Sequence, residues 1–198
     1  MNTACCRTSL AGARGFTLLE ILITIVILAF GLLGVAGLQA RIQVAEVEAY
    51  QRAQAIVLMQ DMVDRLNANR KNGTSYVTGT PAGTGNVEQN CAALATVAER
   101  DLCEWSNALL GASEKKSGAG VGAMIGARGC ITNPVTTMPR EFRVAVVWQG
   151  LAPTIAPAST ACGQGQYGAD DKMRRAMVAT VVIGCLQNDP ATGLCVTP

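Results

Sequence analysis

Histidine is absent from this 198-residue chain. That removes the Ser-His-Asp triad, the Cys-His pair and any imidazole-held zinc or haem. Charged residues make up only 15% and aromatics 4%, against 49% hydrophobic residues. The net charge of +2 is too small for the basic footprint of a nucleic-acid binder. Both surplus positive charges lie near the start, at Arg7 and Arg14, so a chain without residues 1–15 is neutral. The length suits one or two domains with a modest core, and the composition argues against bulk disorder. With 21 glycines and few aromatics, a loop-rich domain is expected rather than a large packed enzyme core. No paired carboxylates, nucleophile beside a base, or phosphate loop stand out. The chain therefore reads as a non-enzyme with no cofactor and no metal.

The hydrophobic residues are concentrated near the N-terminus. Residues 1–15 hold two arginines and no acid, and the next stretch, from Phe16, carries Glu20 as its only charge before Arg41. From Ile21 to Leu38, Thr24 is the sole polar side chain. A helix from Phe16 to Leu38 would be roughly 35 Å long, enough to cross a hydrocarbon core of about 30 Å. Arginines before the span place the leader in the cytoplasm and the remainder outside, a single-pass topology. A cleaved secretory signal is an alternative reading, with Ala36-Gly37-Leu38-Gln39-Ala40 as small residues for a cut. An uncleaved anchor is another. Neither accounts for Gly15 just before Phe16, or for a carboxylate inside the apolar stretch, which is costly there and usually marks function.

Gly15-Phe16-Thr17-Leu18-Leu19-Glu20, followed by the apolar helix, resembles the class III signal of type IV pilins and type II secretion pseudopilins. The resemblance implies that a prepilin peptidase cuts after Gly15 and methylates the new amine of Phe16. It implies an assembly role for Glu20, paired with that amine within one chain or, as the family pattern favours, in a neighbouring subunit. It also implies an α+β fold, a long N-terminal helix packed on a small antiparallel sheet. The implied domains are a leader (1–15), a transmembrane and assembly helix (16–39), its periplasmic continuation (40–72) and a periplasmic head (73–198). Localisation would be the inner membrane before assembly and the pilus afterwards. Partners would be the peptidase, the assembly platform, the major pilin, other minor pilins and a tip adhesin.

The helix is expected to continue to about Asn69, with Ile42, Ala45, Ala49, Ile56, Met59, Val63 and Leu66 on one stripe that Arg52 interrupts. Glu48–Arg52 and Asp61–Arg65 are spaced as i,i+4 pairs, and Asn72-Gly73 reads as the stop. Gly31, Gly34 and Gly37 suit either a close helix–helix face or a weak helical segment. A loop to about Asn90 precedes a second helix, Leu94 to Leu110, with Leu94, Val97, Ala98, Leu102, Trp105 and Leu109 on one side. Residues Ser117 to Gly129 read as a glycine-rich loop. Its Gly118, Gly120 and Gly122 lack the flanking strand and helix of a dinucleotide site. Strands follow at Cys130–Thr132, at Phe142–Gln149 (half-buried by its alternation) and at Met177–Leu186 (apolar on both faces, hence central).

Several short stretches resemble one group of minor pilins, the type IV pilus modification proteins. They are Gly31-Leu32-Leu33-Gly34, Gly37-Leu38-Gln39, Glu104-Trp105, Val146-Val147-Trp148-Gln149-Gly150, Cys162-Gly163 and Arg174-Arg175. A minor pseudopilin of a type II secretion system is the nearest alternative, and a membrane-anchored periplasmic binding protein is a more distant one. Arg174-Arg175 otherwise reads as the solvated start of a strand, Trp105 and Trp148 as core, and Asp170-Asp171 as a turn.

Cys5 and Cys6 fall in the leader, leaving Cys91, Cys103, Cys130, Cys162, Cys185 and Cys195. An even number in an oxidising compartment points to disulfides rather than zinc, since no C-x-x-C occurs. Six cysteines allow 15 pairings. Cys91 with Cys103, and Cys185 with Cys195 across the turn at Asp189-Pro190, are the pairs the sequence favours.

Overall fold

The computed structural model describes residues 15–111, 115–116, 119–120, 124–185, 187–192 and 195–197. Residues 1–14 of the expected leader, with Cys5 and Cys6, lie outside the described residues. So do Ser117, Gly118 and Gly122 of the glycine-rich stretch and Leu186 at the expected end of the last strand. The chain forms two compact units, one ending at Ala45 and one from Glu46 to Pro198. Helix α1, Leu18–Ala68, contributes to both.

In the first unit α1 is apolar and unburied. Phe16, Ile21, Ile25, Leu28, Phe30 and Leu33 are all exposed, as expected of a helix whose surroundings are lipid or other subunits. An added Cβ at Gly31, Gly34 or Gly37 would meet no atom within 4 Å, so these positions leave the helix surface open to close approach.

The second unit is α+β. The last part of α1 packs on a four-stranded antiparallel sheet of β1 (Ala82–Gly83), β4 (Arg128–Val135), β5 (Arg140–Gln149) and β6 (Arg174–Ile183), in the order β1-β4-β5-β6. Helix α2 (Val97–Leu109) covers the same core. Two small hairpins, β2 with β3 (Lys115–Lys116, Ala119–Gly120) and β7 with β8 (Gln187–Asn188, Cys195–Thr197), complete the elements.

The stripe of α1 that reaches this core is Gln51, Ala55, Met59, Met62 and Leu66. Met59 and Leu66 lie on the line expected from the sequence, and Val63 packs only partly. Ile56 is 42% exposed. The face is shifted by about one residue, so Arg52 interrupts nothing and buried Gln51 takes its place in line. The helix ends at Ala68, and two short 3₁₀ turns follow within Arg70–Tyr76, separated by a kink at Asn72, where a stop was expected. Gly73 is closely enclosed there: a Cβ would lie 3.0 Å from Cζ of Phe142 and 3.3 Å from Cδ1 of Ile183, so these side chains would have to shift to admit it.

Helix α2 starts three residues later than the periodicity suggests. Thr96 is its N-cap and forms a capping box with Glu99, whereas Leu94 follows a separate 3₁₀ turn at Cys91–Ala93. Ala98, Trp105 and Leu109 face the core, and Val97 does not. Trp105 and Trp148 are both buried.

The strands correct two expectations. β5 is central and buried on both faces. Phe142, Val144, Val146 and Trp148 join the main core, while Ala145 and Val147 pack with Cys162 and Tyr167 in a second cluster. β6, read as central from its apolar run, lies at the edge of the sheet. Its apolar residues line the core on one side, and Val182 on the other is 61% exposed. Alternation alone does not reveal what covers the second face of a strand.

Candidate functional site

The processing and assembly motif sits at the start of α1. Thr17 is the hinge of this arrangement, because its hydroxyl accepts the Glu20 N–H at 3.2 Å and its carbonyl accepts from Glu20 and Ile21. The hydroxyl is thus an N-cap that starts the helix at Leu18. The T-x-x-E spacing of Thr17-Leu18-Leu19-Glu20 is a capping-box signature that was readable in the sequence and was missed there. Capping keeps Gly15 and Phe16 outside the helix, as an accessible segment beside its first turn. Glu20 lies in that first turn, where the helix dipole favours a carboxylate. Phe16, Glu20, Ile21 and Thr24 line one shallow hollow of about 270 Å³, and Phe16 is 79% exposed. A peptide bond in exposed, non-helical chain can be reached by an enzyme, and the Phe16 nitrogen it would release lies one helical turn before Glu20.

In the head, three disulfides join Cys91–Cys103, Cys130–Cys162 and Cys185–Cys195. The first ties the 3₁₀ turn to α2, the second ties the Gly150–Met173 connection to β4, and the third closes the C-terminal hairpin. Cys130–Cys162 is the pair left once the two favoured ones are set, although nothing local in the sequence points to it, its ends being 32 residues apart.

Arg174 and Arg175 are not a solvated strand start. Arg174 is 3% exposed and donates to the carbonyls of Pro157, Thr160 and Cys162, beside Asp171 at 3.3 Å. Asp171 also accepts the Gly165 N–H and adopts φ +53, so it is the anchor of a tight loop. Arg175 donates to Glu48 at 3.0 Å, which replaces the expected Glu48–Arg52 pair. Burial alone would raise the Glu48 pKa. The Leu151 N–H and the Arg175 guanidinium outweigh it and hold the carboxyl below its usual range. Arg65 does pair with Asp61, and also reaches Asp101 and Glu104 on α2. Burial pushes the Tyr76 hydroxyl up to about 12, helped by its hydrogen bond to Asp101. These groups are structural ties. They lie between elements rather than around a shared cleft.

Among the described residues no group of three His, Cys, Asp or Glu side chains could hold a metal ion. Three open concavities of the head, about 390, 400 and 440 Å³, share Thr80 and Pro81 and are lined mainly by hydroxyls, amides and small apolar groups.

Comparison with known families agrees with the motif and the fold. Residues 10–36 match the prokaryotic N-terminal methylation motif, and residues 37–107 match the family described as type IV pilin Tt1218. No curated protein and no solved structure matches the chain. The methylation motif covers Gly15, Phe16 and Glu20, and the second match covers the rest of α1 together with most of α2. In its N-terminal motif, over residues 10–107 and in its α+β architecture, this chain is type IV pilin-like.

Proposed function

We propose that the chain is a minor pilin of a type IV pilus, of the kind called the type IV pilus modification protein PilV. On this reading residues 1–15 are a cytoplasmic leader removed by the prepilin peptidase, and Phe16 is the methylated N-terminus. Residues 16–39 hold the protein in the inner membrane and later in the filament, residues 40–72 continue the helix into the periplasm, and residues 73–198 form the head. The mature subunit enters the pilus or its tip complex, primes assembly and supports adhesion and twitching. Its partners are other minor pilins, the major pilin, the assembly platform and a tip adhesin.

The observation that carries the reading is the conjunction of an accessible Gly15-Phe16 bond with a capped apolar helix and a head stapled by disulfides. A free carboxylate and a free ammonium are both costly in an apolar filament core, and each offsets the other when paired. That gives Glu20 its role: it takes the methylated, still cationic amine of a neighbouring Phe16 and sets the axial register. The three cross-links suit an oxidising compartment outside the cytoplasm.

Deletion of the gene tests the function. The reading expects few or no surface pili and lost twitching, restored by the intact gene. A normal pilus number with impaired protein secretion would instead favour the pseudopilin reading.

A further inference from the structure

The two edges of the sheet are built differently. At one edge, β1 is only two residues long, follows Pro81 and ends at Gly83 with φ +91. At the other, β6 runs for ten residues, without proline and without a register break against β5. Between Arg175 and Ile183 it carries no charge. Short length, proline, bulges and lysines are the usual means of blunting an edge against other chains. β1 has two of them and β6 has none.

The hydrogen-bond phase shows what β6 offers. Gly150 N–H donates to Met173 O at 2.8 Å, and the register continues through Trp148–Arg175, Val146–Met177, Val144–Ala179 and Phe142–Val181. Residues in an antiparallel ladder alternate between bonding the neighbour and pointing away from it. The odd-numbered residues of β6 therefore bond β5, and Ala176, Val178, Thr180 and Val182 turn their N–H and C=O groups outward. Among the described residues, none of these backbone groups has a hydrogen-bond partner. Thr180 and Val182 are exposed as well.

We propose that this edge docks an extended strand from another protein. A row of alternating donors and acceptors at strand spacing is matched by one kind of occupant, a second extended backbone. The side chains narrow its chemistry. Half-buried Met177 and Ala179 continue the main core to the edge, so the incoming strand presents apolar residues on that face at every second position. The charge-free run of β6 offers no counter-charge, so the occupant is uncharged over roughly seven or eight residues. A second copy of this chain fits poorly. Antiparallel pairing of two β6 edges places a two-fold axis normal to the joined sheet. The Glu46–Ala68 stretches lying on that sheet would then run in opposite senses, whereas copies anchored in one membrane emerge in the same sense.

The test uses the full-length protein in intact cells, with the photo-reactive residue benzoylphenylalanine at position 182 and mass-spectrometric mapping of the cross-linked peptide. The expected product is one segment of a different protein, uncharged and alternating apolar with polar residues. Thr180→Pro removes an outward N–H and leaves the bonds to β5 intact, so it should lower the cross-link yield by about tenfold or more, while Thr180→Val retains it. Cross-linking to a second copy, to lipid alone or to nothing overturns the proposal, as does an unchanged yield with Thr180→Pro. A second measurement does not depend on any substitution. The amides of Val178 and Thr180 should exchange hydrogen at least about tenfold more slowly in cell envelopes than in purified protein in detergent. Equal rates in the two preparations overturn the proposal.

Discussion

Glu48 on α1 and Arg175 on β6 meet at 3.0 Å, and the same carboxylate oxygen accepts the N–H groups of Leu151 and Ala152. One side chain thus ties the helix, the edge strand and the loop that leaves β5. Gly150 makes room for it, since a Cβ there would lie 2.5 Å from Cζ of Arg175. Glu48→Gln should destabilise the protein by about 1 kcal/mol at neutral pH, measured by chemical denaturation in detergent. The folded-state pKa of Glu48 is lowered, so its contribution is complete above the ordinary carboxylate range and is lost as pH falls through the folded value. The difference between parent and variant should therefore shrink in acid. A constant difference down to low pH would mean that the charge is not what holds the loop.

Gly129 on β4 lies under the ring of Trp105, where an added Cβ would come within 2.2 Å of Cη2. The ring cannot retreat easily, because it is buried and its Nε1–H donates to the Leu58 carbonyl at 2.9 Å. Gly129→Ala is expected to cost about 3 kcal/mol or more through overpacking, read as a fall in denaturation midpoint. A loss below about 0.5 kcal/mol would show that the α2–sheet contact is loose.

How legible these ties were depended on sequence distance. The extent of α1, the core face of α2 from Ala98 onward and both buried tryptophans follow from local periodicity and composition. The burial of Arg174 does not, because its three carbonyl partners come from a loop with no periodic signal. The places of β5 and β6 were exchanged for a related reason. β5 has Arg143 and Gln149 within it, which suggested a wet face, yet Tyr167 and Cys162 cover its middle. Glu48 has a better partner on β6 than on its own helix, and i,i+4 spacing could not show that. Thr17 was different: its capping role lay in the motif itself and was overlooked beside the cleavage pattern.

Removal of Cys130–Cys162 by paired alanines should be the most damaging of the three disulfide deletions. It closes the longest loop, a sequence separation of 32 against 12 and 10 for the others. Chain entropy puts its contribution at about 3–4 kcal/mol and each of the others at about 3 kcal/mol. Denaturation of the three double variants checks the order. A smaller loss at Cys130–Cys162 than at Cys185–Cys195 would contradict it.

Glu20→Gln retains the shape of the first turn and removes the charge. Membrane insertion and leader removal should be normal, and recovery of the variant subunit in sheared pili should fall sharply, quantified by immunoblot. Equal recovery of variant and parent would rule out the charge-pairing role while leaving the family likeness untouched.

The central claim is that the working protein begins at Phe16. Intact mass spectrometry of the protein extracted from membranes tests it in one measurement. The account predicts a chain lacking residues 1–15 and carrying one added methyl group on the Phe16 nitrogen. A chain that keeps its first 15 residues, or one cut after Ala40, would contradict it.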